Sequence, residues 1–272
     1  FFNIKMILQH FFNSWLLDRC STFIWDSEKK RLNKVKEFKA IDIDLLIGID
    51  RQKETLLENT ERFAKGNYTN NVLLWGARGN GKSTLIKSSF KILSKKYRYL
   101  KLIQINKDNI NQLDKIYNNL SIYKNYRFII FIDDLSFEKI DIDYKIIKSS
   151  LDGSILEQPR NTLLYITSNR RHLMPRDMID NERSSAIHTD ESVEEKISLS
   201  DRFGLWIGFH NLDQTTYLLI IKSYCQNFNI SYDHEIERKA IQWSLQRGNR
   251  TGRTGWQFIL QIAAENNLKL NF

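Results

Sequence analysis

Residues 76 to 83 read Gly76-Ala77-Arg78-Gly79-Asn80-Gly81-Lys82-Ser83. A glycine, four residues and then Gly-Lys-Ser is the spacing of a loop that cradles phosphate groups. Each residue type has a reason to be there. The glycines let successive backbone N–H groups turn into one anion-sized hollow. Lys82 can reach outer phosphates, and the Ser83 hydroxyl can ligate Mg²⁺. Thr84 follows in the first turn of a helix whose positive N-terminus faces the same anion. The flanks fit. Asn71 to Trp75 is a short apolar run suited to a buried parallel strand. Ser83 to Lys96 has helical spacing, with Leu85, Ile86, Phe90 and Leu93 on one face.

A second set of residues carries metal chemistry. Arg127 opens a stretch whose next five residues, Phe128 to Ile132, are continuously apolar and end in Asp133-Asp134. An apolar run without alternation is buried on both faces. Its acids then lie at the C-terminal end of a strand, where open α/β sheets bind ligands. An Asp in that place holds Mg²⁺ in phosphate-loop enzymes. Thr162 to Thr167 is another buried run, and it ends in Ser168-Asn169.

The elements that must position these groups follow from pattern. Residues 1 to 40 are expected to be helical, aromatic-rich at first and then basic, with Phe1, Ile4, Ile7, Leu8, Phe11, Phe12, Trp15 and Leu16 at helical spacing. Such a stripe suits a face packed on the body of the protein more than a membrane-surface helix. Gln52 to Phe63 reads as a helix, Leu100 to Ile105 as a strand, Asn109 to Leu120 and Tyr144 to Leu151 as helices, and Leu205 to Phe209 as a strand. Arg170 to Glu195, with Pro175, reads as an irregular polar insertion. From Asp213 onward the pattern is helical, near 213–228, 234–247 and 253–267. The expected class is α/β: a five-stranded parallel sheet and a C-terminal helical lid. The expected divisions are a helical segment over 1–40, a nucleotide-binding α/β domain over 41–211 and the lid over 212–272.

Bulk properties narrow the setting. The chain has 272 residues and a net charge of +9, with 42% hydrophobic and 27% charged residues. That is ordinary for a globular protein. The basic residues are dispersed, so nucleic-acid binding is permitted and not demanded. Cys20 and Cys225 are isolated, which fits a reducing cytoplasm and argues against a disulfide framework or a zinc site. No run of 18 apolar residues is present, so no transmembrane helix is expected. The chain begins at Phe1 rather than Met, which leaves room for residues before it, and nothing marks its start as a cleaved signal.

A phosphate loop, an acid-tipped strand, an Asn-tipped strand and a helical tail in this order resemble the AAA+ ATPases. Several segments resemble one bacterial AAA+ family of predicted ATPases built on a domain of unknown function. They are Ile47 to Glu54, Leu74 to Gly79, Asp133 to Glu138, Thr167 to Leu173 and Glu194 to Gly204. The resemblance covers roughly residues 40 to 267. It implies that Ile47 and Gly48 line an adenine pocket, that Gly76 to Ser83 form Walker A, and that Asp133 is the Walker B metal acid. Members of the superfamily place Glu directly after that Asp to polarise the attacking water. Here Asp134 stands there, one methylene shorter, with Glu138 as a substitute. The resemblance further implies Asn169 as sensor 1 and Arg202 as the arginine finger offered to a neighbouring subunit, with Arg170 and Arg171 as rivals. Arg253 takes the place of the sensor 2 arginine, with Arg250 as its competitor. It implies a five-stranded sheet in the order 5-1-4-3-2.

The function so implied is hydrolysis of ATP with Mg²⁺ in a homo-oligomer acting on an unknown protein or nucleic-acid client. Ile105 to Ile110 holds no aromatic-Gly pair, which disfavours a motor that threads polypeptide. Two alternatives stand beside it. An ATP-gated binding switch with negligible turnover is favoured by Asp134 in place of Glu. A small-molecule kinase is disfavoured by Asn169 and the helical tail.

Overall fold

The computed structural model describes residues 14–137, 142–151, 158–171, 173, 199 and 201–270. Residues 14–19 are helical, and two strands follow. Thr22–Asp26 (β1) and Arg31–Lys34 (β2) pair antiparallel, and β1 joins the main sheet in parallel. This corrects the helical reading of residues 1–40 over the hairpin, whereas residues 14–19 are helical as expected and residues 1–13 lie outside the described residues. Phe23 and Trp25 are buried while Ile24 between them is 48% exposed, a period of two that marks a strand with one covered face. The Trp25 indole donates to Gln112 Oε1 at 2.8 Å, and buried Lys101 donates to Cys20 O at 3.0 Å. Both bonds tie the hairpin to the body.

Asp50–Ala64 forms α1, Val72–Gly76 β3, Lys82–Lys96 α2, Leu100–Ile105 β4 and Leu113–Ser121 α3. Arg127–Ile132 is β5, Ile142–Leu151 α4, Thr162–Ser168 β6 and Leu205–Phe209 β7. Gln214–Asn227, His234–Gln246 and Gly252–Glu265 are α5, α6 and α7. The sheet has seven strands in the order β2-β1-β4-β5-β6-β3-β7, not five. The expectation of a five-stranded sheet is therefore corrected: the hairpin extends it beyond β4, and the order 5-1-4-3-2 describes only the run from β7 to β4. The five apolar strands lie consecutively, from β4 at one end to β7 at the other edge, and all pair in parallel.

Successive residues of these strands feed opposite layers. Leu73, Ile130 and Ile166 pack with Ile116 of α3 and Ile147 of α4. Val72, Leu74, Phe131 and Tyr165 pack with Leu56 of α1 and Phe90 of α2. Burial on both faces is why the runs show no alternation. Parallel pairing sends every strand's C-terminal end to one edge, where Gly76, Asp133 and Asn169 gather.

The last three helices carry their own core, with Tyr217, Ile221, Phe258 and Ile259 buried together. Each begins at a side-chain cap: Asp213 accepts from Thr216 N at 2.7 Å, Asp233 from Ile236 N at 2.9 Å and Thr251 from Thr254 N at 3.1 Å. Such caps are each worth about 1 kcal/mol. The stretch Arg170 to Glu195 lies almost wholly outside the described residues, as does Glu138. Among the described residues, no helix is long and apolar enough to cross a membrane.

The hairpin makes a direct test. Trp25→Ala removes a buried side chain and should destabilise by about 3–5 kcal/mol, whereas Ile24→Ala should stay within about 0.5 kcal/mol. Denaturant unfolding of the two variants measures this; equal effects would refute the alternation.

Candidate functional site

The loop from β3 to α2 is shaped by what its neighbours leave no room for. Gly76 has φ +129°, and a Cβ there would fall 2.0 Å from Phe209 O on β7. Ala77 N donates to that same carbonyl at 3.2 Å. The tip of β3 is thus pinned to β7 by backbone alone. Gly81, also at positive φ, starts α2, and its carbonyl accepts from Leu85 N at 2.7 Å. The Asn80 amide donates to His210 O at 2.8 Å, leaving its Oδ1 buried without a partner among the described residues.

Lys82 is 7% exposed. Its ammonium donates to Gly76 O at 2.7 Å, Ala77 O at 2.9 Å and Asn169 Oδ1 at 3.1 Å. Burial pushes its pKa down to about 8, while the carboxylates of Asp134 and Asp133 pull the other way. Ser83 Oγ donates to Asp133 Oδ1 at 2.5 Å, and Thr167 Oγ1 donates to the same oxygen at 2.5 Å. Asp134 stands next in chain with φ +54°, and its N–H donates to Thr167 Oγ1 at 2.9 Å. Its carboxylate accepts from the Asn169 amide and lies 3.9 Å from the Arg78 guanidinium. Lys82, Ser83, Asp133, Asp134 and Asn169 therefore form one connected polar cluster.

This cluster is one end of a cavity of about 730 Å³. Arg78 to Thr84 line its floor, with Asp133, Asp134, Thr167 and Asn169 beside them. The other end is apolar: Ile41, Leu45, Ile47 and Ile49 on one side, Leu212, Ile220, Tyr224, Phe228 and Trp256 on the other. The Trp256 ring meets those of Tyr224 and Phe228 at centroid distances of 5.5 and 5.8 Å. A hydroxyl and a carboxylate oxygen beside each other suit Mg²⁺, which takes one or two protein oxygens and keeps several waters. Backbone N–H groups with a lysine suit phosphate, and a flat apolar slot suits a nucleobase.

The helical unit contributes directly. Arg253 N donates to Gly79 O at 3.0 Å. Gly79 has φ +81°, and a Cβ there would meet Thr251 Oγ1 at 2.9 Å and Arg253 Cβ at 3.0 Å. The Arg253 side chain lines the cavity. Arg250 instead donates to Gln214 Oε1 at 3.3 Å. Ile47 lines the apolar end, whereas Gly48 packs against Thr216 of α5 and is not part of the lining. Arg202 is half-buried and away from the cavity lining. Of its rivals, Arg170 donates to Phe137 O at 3.1 Å and Arg171 stacks over Trp75 at 5.3 Å.

The family model described as "Protein of unknown function (DUF815)" matches residues 18–266, nearly the whole chain. The chain belongs to the DUF815 family. Its fold is that of AAA+ proteins. A Thermotoga maritima RuvB variant superposes with a TM-score of 0.55 at 17% identity, over 84% of this chain and 66% of that one. A second RuvB variant from the same organism gives 0.56 at 15%, over 85% and 68%. A chain of the E. coli MS115-1 HORMA:CdnC:Trip13 complex gives 0.50 at 11%, over 74% and 75%. At these identities the likeness is one of fold. No curated protein matches this DUF815 chain by sequence.

Sequence reasoning missed several lining residues. Thr167, which bonds Asp133 and the Asp134 backbone, looks like any strand-end threonine; the signal was its place directly before Ser168-Asn169. Tyr224, Phe228 and Trp256 sit at helical spacing among core residues, so spacing alone does not separate them from the core.

Lys82 has a folded pKa below that of the unfolded chain, so its burial weighs against folding fully below about pH 8 and is relieved as pH rises. Between that value and about 10.4 the unfolded state binds more protons, and stability should rise with pH. The unfolding free energy of wild type minus that of Lys82→Met should climb by roughly 2–4 kcal/mol across this window in phosphate-free buffer. A flat difference would show that the ammonium is not desolvated.

Proposed function

We propose that this chain is an Mg²⁺-dependent ATPase of the AAA+ class that works as a homo-oligomer in the cytoplasm. It would couple nucleotide state to the remodelling or loading of a protein or nucleic-acid client. The observation that carries the reading is the pairing of Ser83 and Asp133 at 2.5 Å beside Lys82, at the polar end of a cavity whose other end is aromatic. Two cysteines with no disulfide support the cytoplasmic assignment.

Each residue then has a task. The loop from Gly76 to Thr84 cradles the phosphates through backbone N–H groups, and Lys82 turns its ammonium toward the outer ones. Ser83 and Asp133 hold Mg²⁺, which neutralises charge on the phosphates when bound. Ile47, Tyr224 and Trp256 enclose the base. In the reaction the oxygen of water bonds to the γ-phosphorus and the bond to the ADP oxygen breaks. The electron pair leaves with ADP. Asp134 accepts the water's proton and passes it to solvent. Asn169 fixes Asp134 through its amide and Lys82 through its carbonyl oxygen. Arg253 approaches the phosphates from the helical unit, taken as residues 212–272 against a nucleotide-binding domain over 41–211. Arg202, away from its own cavity lining, serves a neighbouring subunit. Catalysis is then mostly positioning and charge neutralisation.

A second reading is favoured by one observation. The short Asp134 carboxylate is held by Asn169 and near Arg78, an arrangement that also suits an ATP-gated switch with negligible turnover. Phosphate release by purified protein separates the two.

If Arg202 acts in trans, specific activity should rise with protein concentration, and Arg202→Ala should lose at least tenfold in turnover while keeping ATP affinity. Lys82→Ala should lose nucleotide binding. Mixing Lys82→Ala subunits, which keep the finger, with Arg202→Ala subunits, which keep the nucleotide site, should restore part of the activity. No recovery in demonstrated mixed oligomers would reject the trans role.

A further inference from the structure

Arg78 is the third residue of the phosphate loop, and nothing in the loop's backbone geometry requires a cation there. Its guanidinium lies 3.9 Å from Asp134 Oδ2, with side-chain exposures of 74% and 54% for the pair. Among the described residues this is the ion pair Arg78 makes. Arg78 also lines the cavity beside Gly79 and Lys82. The charged groups around Asp134 are therefore Arg78 and Lys82 from the loop, Asp133 from its own strand end and Arg253 from α7, which shares the cavity.

The contact differs in kind from its neighbours. Lys82 is buried and already engaged by two carbonyls and Asn169. The Asp134 backbone is fixed by Thr167, and its carboxylate by the Asn169 amide. The Arg78 pair alone is long and solvated, and pairs of this kind contribute little to stability. It can be given up at little cost. A guanidinium has five donors and can serve two anions at once, and a terminal phosphate offers more charge and more acceptors than one carboxylate.

We propose that Arg78 is shared between Asp134 and the terminal phosphate of the nucleotide, which makes it a positioning residue that tells the Asp134 carboxylate whether a γ-phosphate is present. With a triphosphate, Arg78 turns toward the phosphate and Asp134 is left to Asn169 alone, in place to act on water. With a diphosphate, Arg78 stays with Asp134. The proposal rests on the nucleotide-binding reading of this cavity and assigns within it a residue that discriminates ATP from ADP.

The test is a set of calorimetric titrations with magnesium and either ADP or an ATP analogue bearing a β,γ-imido bridge, which is not hydrolysed. Arg78→Ala should weaken the triphosphate about tenfold and the diphosphate by no more than about twofold. Arg78→Lys should fall between, since a point charge replaces the fork. Asp134→Asn should strengthen triphosphate binding at least about threefold more when Arg78 is present than in the Arg78→Ala background, because only then does it release the guanidinium. Equal weakening of both nucleotides by Arg78→Ala would overturn the proposal, as would the same Asp134→Asn effect in both backgrounds. A wild type that binds neither nucleotide would remove the underlying reading and this proposal with it. A wild type that binds both, with flat Arg78 variants, would remove only this proposal.

Discussion

The structure turns on a buried ammonium group. Lys82 lies under the tip of β3, bonded to two main-chain carbonyls and to Asn169, with two aspartates close by. Removing such a charge from water is tolerable only when oxygen atoms surround it. Those oxygens come from three strands. β3 ends in the loop that carries the lysine, β5 ends in Asp133-Asp134, and β6 ends in Ser168 and Asn169. Only parallel pairing delivers three strand ends to one edge, and the two-sided burial of those strands makes that pairing stable. The close contact of Gly76 with Phe209 then sets where β3 stops.

A second constraint joins the helical unit to this edge. The α7 N-terminus donates from Arg253 N to Gly79 O, and the absence of a side chain at Gly79 lets Thr251 and Arg253 come so near. The same unit supplies Tyr224, Phe228 and Trp256 to the apolar end of the cavity. One backbone bond of this sort is worth about 0.5–1.5 kcal/mol. The helical unit, which has a core of its own, therefore meets the loop through a main-chain bond and shares the cavity with it.

The legible parts of the fold were those where several demands coincide on one residue. Gly76 to Ser83 could be read because each position is restricted by backbone, charge or ligand chemistry. The strands β3, β5 and β6 could be read because burial on both faces leaves no polar interruption. The hairpin was misread because an aromatic stripe before it fits helical spacing and draws attention away from the alternation at Phe23, Ile24 and Trp25. Thr167 escaped because its hydroxyl acts only once β5 and β6 are in register, which is a tertiary fact. Asp134 was legible as an acid, whereas its left-handed backbone and its bond to Asn169 were not, since neither is encoded locally.

The central claim is that this edge holds a nucleoside triphosphate together with magnesium. Calorimetric titration of ATP into the wild-type protein, with magnesium and then with the metal chelated, tests it most directly. The account predicts saturable one-to-one binding that weakens at least several-fold when magnesium is removed, because Ser83 and Asp133 then lose the ion that links them to the phosphates. Absence of saturable binding, or binding of equal strength with and without the metal, would contradict it.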